Sequence, residues 1–186
     1  MILASHNSLT YLKPKYWIMN LFKWFYRCQT KTIEEQYLAG VRYFDFRICF
    51  NKFGIPKFRH GLTEFKTDGK ELFNILEYLN QYKDIVIRVV LEKVKDSTDY
   101  DLFRMLCQEI QEKYVNIKFC CGEYKKTKEV IYDFKTTIEI PIYEKYSSVI
   151  GSKLNDIYPY GFAKKHNQDY INQYKEQNCY LMLDFI

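Results

Sequence analysis

Two periods of hydrophobicity alternate along the chain. Runs rich in β-branched and aromatic residues read as strands at Ile2 to Ser5, Tyr43 to Cys49, Lys57 to His60, Asp84 to Glu92, Ile117 to Cys120 and Cys179 to Ile186. Between them lie segments with helical spacing. Leu72, Phe73, Leu76 and Leu79 predict an amphipathic helix over 69–82, and Leu102, Phe103, Leu106 and Ile110 predict another over 99–113. A weak helix is expected over 168–177. Thr32 and Glu35 have capping-box spacing, so a helix starts there and runs to Ala39, with Gly40 as its C-terminal cap. The stretch from 122 to 165 is harder to read. Residues 129–134 and 137–143 have strand-like composition, whereas 147–153 and Tyr158 to Gly161 look like loop.

Strands alternating with helices, without an internal repeat or a linker, predict one α/β domain over 1–186 with a parallel sheet. A compact, distorted (β/α) TIM-type barrel is the first expectation. The chain has 186 residues, short of the roughly 250 usual for such barrels, so some outer helices must be reduced or missing. An open doubly wound sheet is the alternative, but no glycine-rich phosphate loop supports it.

Polar residues interrupt this pattern in one respect only. His6, Asp45 with Arg47, His60, Glu92 and Asp184 fall at or near the ends of the expected strands. In a parallel barrel those ends form one face, where active sites are built. Asp45 and Arg47 are two apart and so share a side of their strand. Each residue alone has an ordinary structural explanation, such as a strand-capping histidine or a pairing of Glu92 with Arg88. Their coincidence points to chemistry. Two histidines can divide acid and base work near neutral pH. An aspartate beside a histidine fixes its tautomer, and an arginine presents a fork to a phosphate. The set suits phosphodiester cleavage with an internal hydroxyl as nucleophile. No serine or cysteine elbow motif is present.

Residues 11–27 contain both tryptophans, Trp17 and Trp24, among Lys13, Lys15, Lys23 and Arg27. Two readings stand: a short element packing one end of the barrel, or an interfacial segment that lowers aromatics into a bilayer surface. A net charge of +5 is mildly basic; it suits an anionic substrate or surface and lacks the concentrated stripe of a nucleic-acid binder. The six cysteines form no CxxC or zinc-finger spacing and are expected as packed free thiols. No signal peptide or membrane-spanning run is visible, so the expectation is a soluble, cytoplasmic protein peripheral to membranes, unless a precursor was trimmed.

Ser5-His6-Asn7-Ser8-Leu9-Thr10-Tyr11, Gln36 with Ala39-Gly40-Val41-Arg42-Tyr43-Phe44-Asp45-Phe46-Arg47, Arg59-His60-Gly61 and the terminal Leu183-Asp184-Phe185 resemble the phosphatidylinositol-specific phospholipase C family. The resemblance covers residues 2–65, 85–92 and the last ten. It implies a distorted TIM barrel that cleaves phosphatidylinositol-type lipids to diacylglycerol and a cyclic inositol phosphate. By this resemblance His6 is the general base, Asp184 its partner, His60 the general acid, Asp45 the group that orients His60, and Arg47 the phosphate ligand. Arg88 and Lys93 are candidates for the head group. Position 47 is Arg where the calcium-dependent members carry an acid, so a site without a cofactor is favoured. Asn7, Asp45 and Glu92 are the oxygen set a calcium ion would use. A metal-dependent glycerophosphodiester phosphodiesterase and a non-catalytic barrel that binds phospholipid head groups or a partner protein are the alternatives.

Overall fold

A computed structural model describes residues 1–123, 140–147 and 158–186. Its centre is a long strand, β2 (Val41–Phe50). One edge of β2 pairs in parallel with β1 (Ile2–Ser5), and the other with β5 (Val86–Leu91). The sheet continues in parallel from β5 to β6 (Lys118–Glu123), and from β1 through β8 (Tyr180–Leu183) to β7 (Ile142–Glu144). The result is a curled mixed α/β sheet, a distorted barrel with reduced helices.

Two strands depart from the parallel pattern. β3 (Pro56–His60) runs antiparallel to the upper half of β2, with Phe50 opposite Pro56 and Ile48 opposite Phe58. It then turns into β4 (Thr63–Glu64). The turn at 51–55 sends the chain back down, so His60 returns towards the level of Asp45. The expectation that His60 ends a parallel strand is corrected: the hairpin, not the parallel direction, delivers it. Asp45 and Arg47 likewise sit inside β2 rather than at its end, because β2 outruns β1.

The period-2 alternation explains which residues face where. Phe44, Phe46 and Ile48 of β2 and Ile87, Val89 and Leu91 of β5 form the outer core. They pack under α3 (Glu71–Leu79) through Leu72, Leu76 and Leu79, and under α4 (Ser97–Lys113) through Phe103, Leu106 and Ile110. The inner face begins with Ala4, Tyr43, Val86, Tyr180 and Met182, an apolar plug. Two residues further along each strand come His6, Asp45, Arg88 and Asp184, so a polar layer lies on that plug.

α2 (Ile33–Leu38) starts with the expected capping box. Thr32 accepts from the Glu35 amide at 3.2 Å and Glu35 accepts from the Thr32 amide at 2.7 Å, worth about 1 kcal/mol. Gly40 follows with φ 96°, the left-handed stop a side chain would strain. Near the C-terminus the reading needs correction. Tyr158 to Gly161 is not loop: Pro159 opens α5 (Pro159–Tyr174), which ends before the weak helix expected to 177. Proline suits a first turn because its missing N–H would have no partner there. Of the two possible strands in the unclear stretch, 129–134 lies outside the described residues. The other survives in part as β7. The loop expected over 147–153 lies outside them beyond Ser147.

The segment carrying both tryptophans folds as a 3-10 turn, Trp17–Phe22, followed by one helical turn, α1 (Lys23–Tyr26). Only part of it packs the barrel: Tyr26 is buried against Phe65, and Tyr11 lies against the same core. Trp17 is 75% exposed and Trp24 49%, and Tyr16, Leu21, Phe22 and Phe25 are exposed with them. Among the described residues no helix is long and apolar enough to cross a membrane.

Candidate active site

The loop leaving β1 carries His6. Its backbone N–H donates to Leu183 O at 3.0 Å, so the ends of β1 and β8 meet at the site. Asp184 follows β8 directly, and its Oδ1 lies 2.6 Å from His6 Nδ1. On the other side of the ring, Arg47 Nη2 is 3.2 Å and Asn7 Nδ2 2.8 Å from Nε2. A guanidinium only donates, so Nε2 is the acceptor and the ring proton sits on Nδ1, donated to Asp184. His6 is thereby held as a base with its lone pair on Nε2. Asp184 is fixed in turn by the Ser147 hydroxyl at 3.3 Å.

His60 approaches from the hairpin. The two imidazole rings are 6.2 Å apart and nearly perpendicular. His60 Nδ1 lies 2.6 Å from the Tyr26 carbonyl. A carbonyl can only accept, so Nδ1 is protonated and Nε2 is the nitrogen free to exchange a proton. The resemblance gives Asp45 the task of orienting His60, but Asp45 does not supply this bond. Its carboxylate accepts from Arg47 Nε at 3.0 Å, Arg88 Nε at 2.7 Å and the Asn7 amide at 3.2 Å. A main-chain carbonyl has taken the orienting role, and Asp45 holds the two arginines.

Electrostatics follow from these contacts. Burial opposes ionisation of Asp45, yet Arg47 and Arg88 outweigh it and hold its carboxyl well below the usual carboxylate range. Burial, then its titratable neighbour His6 and the charge of Arg47, push His60 down to about 4, against the pull of the Tyr26 carbonyl. Burial raises Glu92, only partly offset by Arg47 and by the Gly61 amide, which donates to Glu92 Oε1 at 2.6 Å. The pairing of Glu92 with Arg88 is not realised: Arg88 binds Asp45 and Glu144. Lys93 is exposed beyond β5, and none of the site's hydrogen bonds among the described residues uses it.

The oxygen set named for calcium fits poorly. Asn7 Oδ1 and Glu92 Oε2 are buried without a hydrogen bond among the described residues. But both Asp45 oxygens already face guanidinium groups. A cation between these residues would meet the positive charge of Arg47, which acts on both Asp45 and Glu92. Arg47 and Arg88 already stand as positive charges of this layer.

Several site residues leave no signal in the sequence. Tyr146 stacks on His6, rings 3.5 Å apart and 6° from parallel, and leaves His6 1% exposed. Glu144 holds Arg88 at 2.8 Å and also accepts from the Tyr146 hydroxyl at 3.1 Å. Both sit in the stretch whose pattern is ambiguous. Cys28 lies at the base of the centre, its Sγ 3.9 Å from His60 Nδ1; in the sequence it is one of six cysteines without a metal-site spacing. Beside His60, an apolar cavity of about 440 Å³ is lined by Phe22, Trp24, Phe25 and Leu62.

No family model matches the chain, and no curated protein does. Solved structures do. The phosphatidylinositol-specific phospholipase C from Listeria monocytogenes superposes with a TM-score of 0.68 at 16% identity, over 99% of this chain and 87% of that one. Two structures of the Staphylococcus aureus phosphatidylinositol-specific phospholipase C, one reported for modulation of its membrane binding, give 0.65 at 14% identity and 0.63 at 12%, each over 99% of this chain and 85% of theirs. The chain therefore has the fold of the bacterial phosphatidylinositol-specific phospholipases C, a phosphodiesterase-type distorted barrel.

Proposed function

We propose that the chain is a metal-independent phosphodiesterase that cleaves phosphatidylinositol-type phospholipids at a membrane surface. The observation that carries this reading is the pair of histidines with opposite roles built into their hydrogen bonds. His6 presents a lone pair on Nε2, with Nδ1 tied to Asp184. His60 presents Nε2, with Nδ1 tied to Tyr26. Arg47 lies against His6 and close enough to His60 to lower its proton affinity.

In this reading His6 Nε2 takes the proton of the inositol 2-hydroxyl as its oxygen attacks phosphorus. The bond from phosphorus to the glycerol oxygen breaks, and that oxygen takes a proton from His60 Nε2. The products are diacylglycerol and a cyclic inositol phosphate. Arg47 binds the non-bridging phosphate oxygens and offsets the charge that builds on them. His60 is neutral at pH 7 in the free protein. An anionic phosphodiester beside it favours the imidazolium, so substrate binding arms the acid. Asp45 keeps Arg47 and Arg88 charged and placed, and Arg88 is the head-group candidate. Tyr146 swings off His6 to admit the inositol ring. The exposed aromatics from Tyr16 to Phe25 enter the lipid interface, with the apolar cavity beside His60 on the leaving-group side.

The reading is tested by incubating the protein with phosphatidylinositol vesicles in excess EDTA and recording phosphorus NMR of the soluble product. A cyclic phosphodiester signal is expected. Product that appears only when calcium or magnesium is restored favours the glycerophosphodiesterase-like alternative. Vesicle binding without any product favours a non-catalytic barrel.

A further inference from the structure

We propose that the base of this centre is also a binding site for a borderline divalent transition-metal ion of the zinc type, held by the Cys28 thiolate, a ring nitrogen of His6 and a carboxylate oxygen of Asp184. One ligand atom from each of the three lies within 4.8 Å of the others, and all three residues are buried. A tetrahedral zinc with bonds of about 2.0–2.3 Å spaces its ligands about 3.3–3.8 Å apart. Binding draws the farther ligand atoms together, and an ion on His6 Nδ1 would part that nitrogen from Asp184 Oδ1, now 2.6 Å away.

The surroundings of the thiol set it apart. Cys107 and Cys179 pack in apolar clusters. Cys28 instead faces a carboxylate and two imidazoles, a poor place for an ordinary core thiol and a good one for a metal. Its backbone is fixed from two sides: the Cys28 amide donates to Thr10 Oγ1 at 2.9 Å, and Phe185 N donates to Cys28 O at 2.6 Å. The Asn7 side-chain amide approaches Sγ at 3.7 Å, a donor that a thiolate accepts better than a thiol does. Sulfur and imidazole select zinc or cobalt over the harder calcium and magnesium.

Binding releases the thiol proton to solvent as the metal–sulfur bond forms. It also removes the base. A metal on Nε2 must displace the Arg47 and Asn7 donors and consumes the lone pair; a metal on Nδ1 cuts the bond to Asp184 and drives the ring proton onto Nε2, against those same donors. The Cys28 thiolate and the Asp184 carboxylate supply the two negative charges that offset the ion beside Arg47. Resting on the role proposed for His6 above, the ion is an inhibitor that competes with the proton transfers of the same residues.

Titration of the full chain with cobalt(II), followed by absorption spectroscopy, tests this without reference to turnover. A thiolate-to-cobalt charge-transfer band is expected, with the intense visible bands of four-coordination, and zinc should displace both. Cys28→Ser should lose the charge-transfer band while circular dichroism shows it folded. Should that variant fail to fold, zinc-edge X-ray absorption of the unaltered protein decides: one sulfur ligand beside nitrogen and oxygen is expected. A band that persists in folded Cys28→Ser, no band at cobalt saturation, or a zinc shell without sulfur overturns the proposal.

Discussion

His6 Nδ1 and Asp184 Oδ1 are 2.6 Å apart at the junction of β1 and β8, and this bond decides which nitrogen of His6 is basic. Asp184→Asn should keep the ring in place and spoil its tautomer, since an amide N–H can face Nδ1 only if the ring proton moves to Nε2. Turnover of phosphatidylinositol should fall on the order of 10³-fold or more, with little change in fold. Steady-state kinetics beside circular dichroism check it. A loss under tenfold contradicts the assignment.

Asp45 should matter to stability as much as to activity. It is fully buried and compensates two guanidinium groups. Asp45→Ala strands both charges and should cost about 3–5 kcal/mol in denaturant unfolding. The pH dependence has a definite sign. The folded carboxyl is depressed, so its contribution is complete above the unfolded value of about 4 and fades as pH falls below it. In Asp45→Asn that acid-limb dependence should flatten.

His60 should titrate near 4 when the protein is free. Its ring protons, followed by NMR, should move below the ordinary histidine range of about 6.5. Inositol phosphate should raise the midpoint, because its negative charge offsets the Arg47 charge that disfavours the imidazolium. A free-state midpoint near 6.5 that ignores the ligand would remove the case for substrate-armed acid catalysis.

The two tryptophans make a membrane test simple, since no other indole contributes to fluorescence. On mixing with anionic vesicles the emission should shift to the blue. Trp17→Ala should weaken partitioning about tenfold, as expected for losing one partly buried aromatic of roughly 1.5 kcal/mol. Unchanged emission would place this surface elsewhere than the bilayer.

Much of this arrangement is legible in the residues themselves. β2 stands out by its aromatics, and the Asp45–Arg47 pair by its period of two. The capping box at Thr32 and the acid near the end of the chain are equally plain. What stays hidden has physical reasons. The antiparallel return of β3 is a tertiary choice, since a short strand reads the same in either direction. His60 is oriented by the main chain of Tyr26, and a carbonyl leaves no mark on residue identity. Tyr146 and Glu144 act from a stretch whose local pattern is ambiguous. The surroundings of Cys28 come from three distant segments, which no local pattern joins.

The most direct measurement is the initial rate of soluble phosphate-ester release from phosphatidylinositol vesicles in EDTA, for the unaltered chain, His6→Ala and His60→Ala. Metal-free release of a cyclic phosphate by the unaltered chain is expected, with near-complete loss in both variants. Full activity in either variant would contradict it.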